Sequence, residues 1–235
     1  MLRLYKKSLL GFSLVWIGMY VVGFSLADGF SEKLGIAKII TAPLGIVLSI
    51  LLLIWLYRHD LARASGLRAF RGSGCAYLWF IPLVVISSCN LWLGVGMQHT
   101  VLETALYMLS MLCVGFLEEV IFRGFLYRAM RDEGTRCAIL ISGVTFGIGH
   151  IVNLLNGAEF LPTLMQICYA TAIGVLFTVI YHKSGSLVPC IISHCAVNML
   201  SVFAVERGYT AELAVAAALT VVPLLYTLWI WKRAD

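Results

Sequence analysis

Glu118, Glu119 and Arg123 lie inside an otherwise apolar stretch that runs from Val101 to Tyr127. An ionisable side chain at the centre of a membrane-crossing helix costs about 2.5 to 3.5 kcal/mol, so such a group needs either mutual neutralisation or a function. Glu119 and Arg123 are four positions apart and share one helical face, where a carboxylate and a guanidinium pair and lower each other's cost. Glu118 is rotated about 100° from Glu119 and is left without a partner on its own helix. A carboxyl held in a low-dielectric cavity is a candidate general base or acid.

Two further apolar stretches carry polar groups of matching chemistry. His150 ends the run Ser142-Gly143-Val144-Thr145-Phe146-Gly147-Ile148-Gly149-His150, whose small residues allow a neighbouring helix to approach closely. On its own this imidazole could do no more than hydrogen-bond to that helix. His194 and Asn198 are four apart and face the same way from a third stretch. One acid, two imidazoles and one amide, delivered by separate helices, can activate a water and stabilise an oxyanion, which is what amide hydrolysis requires. His59, His99 and His182 fall at the ends of apolar stretches or in loops, where an imidazole meets water at little cost, and no role is assigned to them.

These residues match a known pattern. Glu118-Glu119-Val120-Ile121-Phe122-Arg123 fits Glu-Glu-x-x-x-Arg, Phe146 to His150 fits Phe-x-x-x-His, and His194 to Asn198 fits His-x-x-x-Asn, with Gly185-Ser186-Leu187 before the third. The chain therefore resembles the CAAX-protease and bacteriocin-processing family (Abi), of the type II CAAX prenyl endopeptidase kind, over roughly residues 115 to 200. The resemblance implies a glutamate-dependent intramembrane endopeptidase that cuts near the cytosolic membrane face. Glu118 and His150 would activate the attacking water, His194 and Asn198 would hold the oxyanion, and Glu119 with Arg123 would orient Glu118. It implies no cofactor, and a peptide or protein substrate such as a prenylated C-terminus or a leader peptide.

Other chemistries are weighed on the same residues. Zinc accepts two imidazoles and a carboxylate with water in the open position, so Glu118, His150 and His194 form an alternative metal set. A transporter or scaffold would use the buried polar groups to bind a proton or ion, and an immunity protein of the same family would act by binding alone. An aspartyl dyad is excluded because Asp28, Asp60, Asp132 and Asp235 lie outside the apolar stretches or at their edges. A rhomboid-like serine protease lacks its nucleophile, since Ser73 sits in a basic loop, and the His-Glu-x-x-His of zincins is absent. Cys195 beside His194 points about 100° away from it, which disfavours a thiol protease.

The elements that must position these groups are membrane helices. Of the 235 residues 61% are hydrophobic and only 12% charged, and the mean hydropathy is +0.94, which leaves too little charge for a soluble surface. Stretches near the roughly 20 residues that cross a bilayer run over 9–27, 36–57, 75–95, 101–127, 137–155, 160–181, 187–205 and 211–231. The expectation is an all-α, polytopic bundle of about eight spans in one integral membrane domain over 1–235, with the catalytic core at about 115–200. The first stretch follows Lys6 and Lys7 and ends in Ser25-Leu26-Ala27, yet its length favours a retained helix over a cleaved signal.

Basic residues order the loops. Arg3, Lys6, Lys7, Arg58, Arg63, Arg68, Arg71, Arg128, Arg131, Arg136, Lys183, Lys232 and Arg233 fall on one set of alternate loops, and only Lys33, Lys38 and Arg207 on the other. By the positive-inside rule both termini are cytoplasmic. The net charge of +5 is thus a matter of orientation against lipid headgroups, and no nucleic-acid partner is expected. A multi-pass protein of a bacterial plasma membrane is the expected setting. The seven cysteines lack a CxxC spacing and read as buried free thiols. His150 fits depth less well, since it lies 13 residues, about 20 Å of helix, beyond Cys137.

Overall fold

The computed structural model describes residues 1–70, 72, 74–205 and 208–233. Arg71, Ser73, Arg207 and Asp235 lie outside the described residues, as does the side chain of Cys75. Within them the helices are α1 (Leu2–Lys7), α2 (Leu9–Lys33), α3 (Thr41–Arg58), α4 (Ile81–Ser87), α5 (Val101–Glu119), α6 (Thr135–Gly149), α7 (Val152–Leu155), α8 (Phe160–Ser184), α9 (Val188–Leu200) and α10 (Tyr209–Lys232). No strand occurs among the described residues beyond one isolated bridge between Val95 and Ala204.

Six of these rods are long and apolar enough to cross a membrane: α2, α3, α5 with its continuation to Tyr127, Thr135–Leu155, α8 and α10. The third and seventh apolar stretches, expected as full spans, fold instead as the shorter helices Tyr77–Leu91 and Val188–Phe203. Local chemistry explains the shortening. The third stretch opens in a 3₁₀ segment, Gly74–Phe80, and Pro82 and Pro189 both stand in first turns, where a missing N–H is harmless but the helix cannot extend backwards unbroken. Their polar side chains then bind each other. Ser87 Oγ donates to Ser193 Oγ at 3.0 Å, Ser193 Oγ to the Leu83 carbonyl at 3.0 Å, and Asn90 Nδ2 to the Val197 carbonyl at 2.7 Å.

The bundle is organised around α5. Its start is fixed by a capping box in which Thr100 and Glu103 satisfy each other's backbone N–H groups. Glu103 also accepts from Ala37 N at 3.2 Å, which ties α5 to the α2–α3 connection. Beyond Glu119 the helix widens into a π-helix, Val120–Tyr127, in which every residue is buried. A helix apolar and enclosed all round belongs at the centre of a bundle, and α2, α3, α6 and α9 pack around this rod. α6 meets α8 closely because a Cβ on Gly143 would lie 2.8 Å from Val175 N, and one on Gly147 2.8 Å from Thr171 N. The small-residue run therefore works as a close-packing stripe.

Charged ends gather at one pole. Arg128 Nη1 donates to Tyr5 Oη at 3.2 Å, Lys183 Nζ to the Arg233 carbonyl at 3.2 Å, and Arg68 Nε to the Gly185 carbonyl at 2.6 Å. Segments that the charge pattern assigns to one side of the membrane thus lie together. The six described cysteines are free, with Cys89, Cys113 and Cys190 buried, but Cys137 and Cys168 are exposed. The expectation of uniform burial fails because an apolar residue facing lipid and one facing the core look alike in sequence.

Candidate active site

Glu118 and Glu119 form the last turn of α5, directly before the π-helical segment. π-helical turns recur at functional sites because the wider ladder displaces backbone and side chains locally. The Phe122 carbonyl in this segment accepts from Ser142 Oγ of α6 at 2.9 Å. Arg123 is fully buried, and its Nη1 donates to Glu119 Oε1 at 3.0 Å, with neither side chain exposed. The guanidinium is also flanked by rings, with its Cζ 4.3 Å from the Phe146 centroid and 5.9 Å from that of Phe177. A Cβ on Gly174 would sit 3.1 Å from Arg123 Nη2, so the glycine leaves room for the cation.

His194 joins the two acids. Its Nδ1 lies 2.8 Å from Glu119 Oε1 and its Nε2 3.3 Å from Glu118 Oε2. Glu119 Oε1 already accepts from Arg123, and an ionised carboxylate only accepts, so Nδ1 carries a hydrogen. Nε2 then either donates to ionised Glu118 or accepts from protonated Glu118, and one proton is shared across that contact. Wherever that proton rests, Glu118, Glu119, Arg123 and His194 together carry no net charge, which suits a low-dielectric interior. The resemblance had Glu119 and Arg123 orienting Glu118; in the structure that link passes through His194 rather than by direct contact.

The other oxygen of Glu118 is held from outside the motif region. Tyr20 Oη on α2 donates to Glu118 Oε1 at 2.8 Å. Sequence reasoning passes over Tyr20, although a signal exists: a phenol in mid-span, away from the interface where tyrosines anchor, needs a buried partner.

His150 is not inside a continuous helix. α6 stops at Gly149, His150 is its cap, and α7 begins afresh at Val152. The span expected over 137–155 is therefore interrupted at this imidazole, although the helix from Cys137 up to it is unbroken. Its Nδ1 is 3.2 Å from the Phe146 carbonyl. A carbonyl can only accept, so Nδ1 bears the hydrogen of this contact and Nε2 is left to face other partners. The Phe146 ring stands between the two histidines, 5.3 Å from His150 and 5.6 Å from His194, edge to face with both.

Glu118, His150, His194 and Asn198 all line one cavity of about 800 Å³, together with Tyr20. The Lys38 to Asp28 ion pair, at 2.9 Å, stands in the same wall. Glu119 and Arg123 are not among its lining residues and lie behind His194, Phe146 and Phe177, which are. Among the described residues no group of three or more His, Cys, Asp or Glu side chains is arranged to hold a metal ion.

A carboxylate, two imidazoles and an amide thus line one cavity. Residues 100–200 match the Rce1-like family of type II CAAX prenyl endopeptidases. The matched region runs from the capping box of α5 to the end of α9, so it contains every motif residue and omits α2, which supplies Tyr20. No curated protein and no solved structure matches the chain. The matched region is less than half of the chain, and the six rods long and apolar enough to cross a membrane support an integral, multi-pass membrane protein.

Proposed function

We propose that this chain is a glutamate-type CAAX intramembrane endopeptidase that cuts its substrate near the cytosolic face of a bacterial plasma membrane. The observation that carries the proposal is that Glu118, His150, His194 and Asn198 share one cavity, with Glu118 fixed by Tyr20 and His194. Glu118 takes a proton from a water in the cavity, assisted by His150. The hydroxide attacks the scissile carbonyl carbon and an oxyanion forms.

Once Glu118 is protonated its hold on His194 weakens, and the Nε2–H of His194 turns to the oxyanion beside the Asn198 amide. Collapse of the intermediate breaks the C–N bond, and Glu118 returns its proton to the leaving amine. Glu119, itself held by Arg123, keeps His194 oriented throughout. The substrate class proposed is a peptide with a prenylated cysteine near its C-terminus, whose lipid reaches the cavity from the bilayer.

The test is direct. Purified chain reconstituted in vesicles is given a farnesylated CAAX peptide and its unprenylated counterpart, and the residues released after the cysteine are identified by mass spectrometry. Release from the farnesylated peptide supports the reading. Release from neither, by folded protein, overturns it.

A further inference from the structure

A second cavity, of about 300 Å³, opens at the charged pole and is lined by Arg63, Ala64, Arg68, Tyr127, Arg128, Arg131, Tyr181, His182 and Gly185. Four guanidiniums from two separate segments converge on it, and no carboxylate is among its lining residues. Like charges brought together without an acid repel, and an anion placed among them removes that cost. We infer that this pocket is a phosphate-binding site that takes the headgroup of an anionic membrane lipid.

The pocket is built by the chain, not left over between loops. Arg68 is pinned by its Nε to the Gly185 carbonyl at 2.6 Å, and Ser186 Oγ donates to the Arg68 carbonyl at 2.5 Å. Leu187 N donates to the Gly66 carbonyl at 2.8 Å, so the loop carrying Arg63 and Arg68 is fastened to the turn between α8 and α9. Opposite, Arg128 is braced by Tyr5 Oη and the Gly124 carbonyl. Arg63 and Arg131 are exposed and make no such brace among the described residues, so their guanidiniums are available to a ligand.

Place and charge select the occupant. The floor is formed at the ends of two membrane-spanning rods, by Tyr127 of the π segment and Tyr181 of α8, with Tyr127 Oη 2.8 Å from His182 Nδ1. The pocket thus sits where two apolar rods end, and basic pockets between helices at the cytoplasmic surface bind lipid headgroups. Guanidinium forks suit the several oxygens of a phosphate better than a single carboxylate. The site is separate from the Glu118 cavity, and the inference does not rest on the proposed catalysis.

The experiment uses full-length protein in native mass spectrometry and in vesicle-bound thermal melts. Vesicles of phosphatidylcholine alone, with phosphatidylglycerol and with phosphatidic acid are compared, and inorganic phosphate is titrated against each. Retained lipid adducts and a raised melting temperature with the anionic lipids only are expected. The double variant Arg63→Gln, Arg131→Gln, which touches no structural brace, should lose about thirtyfold in lipid affinity, since each basic group near the surface is worth about a factor of five. Equal retention of neutral and anionic lipids by the parent overturns the site, as does unchanged retention by the double variant. Displacement of the lipid by millimolar-range inorganic phosphate would overturn the lipid assignment in favour of a soluble phosphate.

Discussion

Arg123→Met isolates the value of the buried pair, because methionine keeps an unbranched chain between the Phe146 and Phe177 rings while removing the charge. The side chains of Arg123 and Glu119 are both wholly buried, so the small value of exposed ion pairs, about 0 to 1 kcal/mol, does not apply. Stranding one member of a buried pair costs about 3 to 5 kcal/mol. For a chain of this size each kcal/mol is worth about 2 to 4 °C, so the melting temperature should fall by about 6 to 20 °C. The assay is thermal unfolding in detergent followed by tryptophan fluorescence. Glu119→Gln with Arg123→Met leaves an amide that still accepts from His194 Nδ1, and the double variant should recover most of the loss. A single variant that melts together with the parent, or a double variant worse than the sum of the singles, refutes the reasoning.

Three further outcomes follow from the geometry. Tyr20→Phe removes a hydrogen bond to a carboxylate, worth about 1.5 to 3 kcal/mol, and should lower kcat about 10- to 150-fold with KM little changed; an unaltered kcat would show that the phenol serves packing alone. Asn198→Ala should lower kcat about 10²- to 10³-fold, as loss of an oxyanion donor does, with the parent's thermal stability. A change confined to KM would assign Asn198 to substrate binding instead. Incubation with a strong chelator should leave cleavage intact, and activity lost to chelation and restored by zinc would turn Glu118, His150 and His194 into metal ligands.

Much of the bundle is legible in the chain because hydropathy reports where lipid begins and ends. Each apolar stretch read from the sequence contains helix in the structure, though the third and seventh fall short of a span. What hydropathy cannot report is how helices are interrupted. The break at His150 follows glycines that let α6 press against α8, and the π turn after Glu119 lies in a segment enclosed on all sides. Periodicity assumes an unbroken α-helix and sees neither. The shared cavity was foreshadowed by polar groups at helical spacing on three apolar stretches. Its wiring was not, because spacing within a helix says nothing of which nitrogen of His194 meets which acid. Tyr20, 98 positions from Glu118, lay beyond any local pattern.

Glu118→Gln tests the central claim most directly. Glutamine keeps the shape and still accepts from Tyr20 Oη, so the variant should insert and melt like the parent. Without a base, hydrolysis of the farnesylated peptide should fall by at least about 10²- to 10⁴-fold. Cleavage by folded Glu118→Gln at the parent's rate would contradict the account.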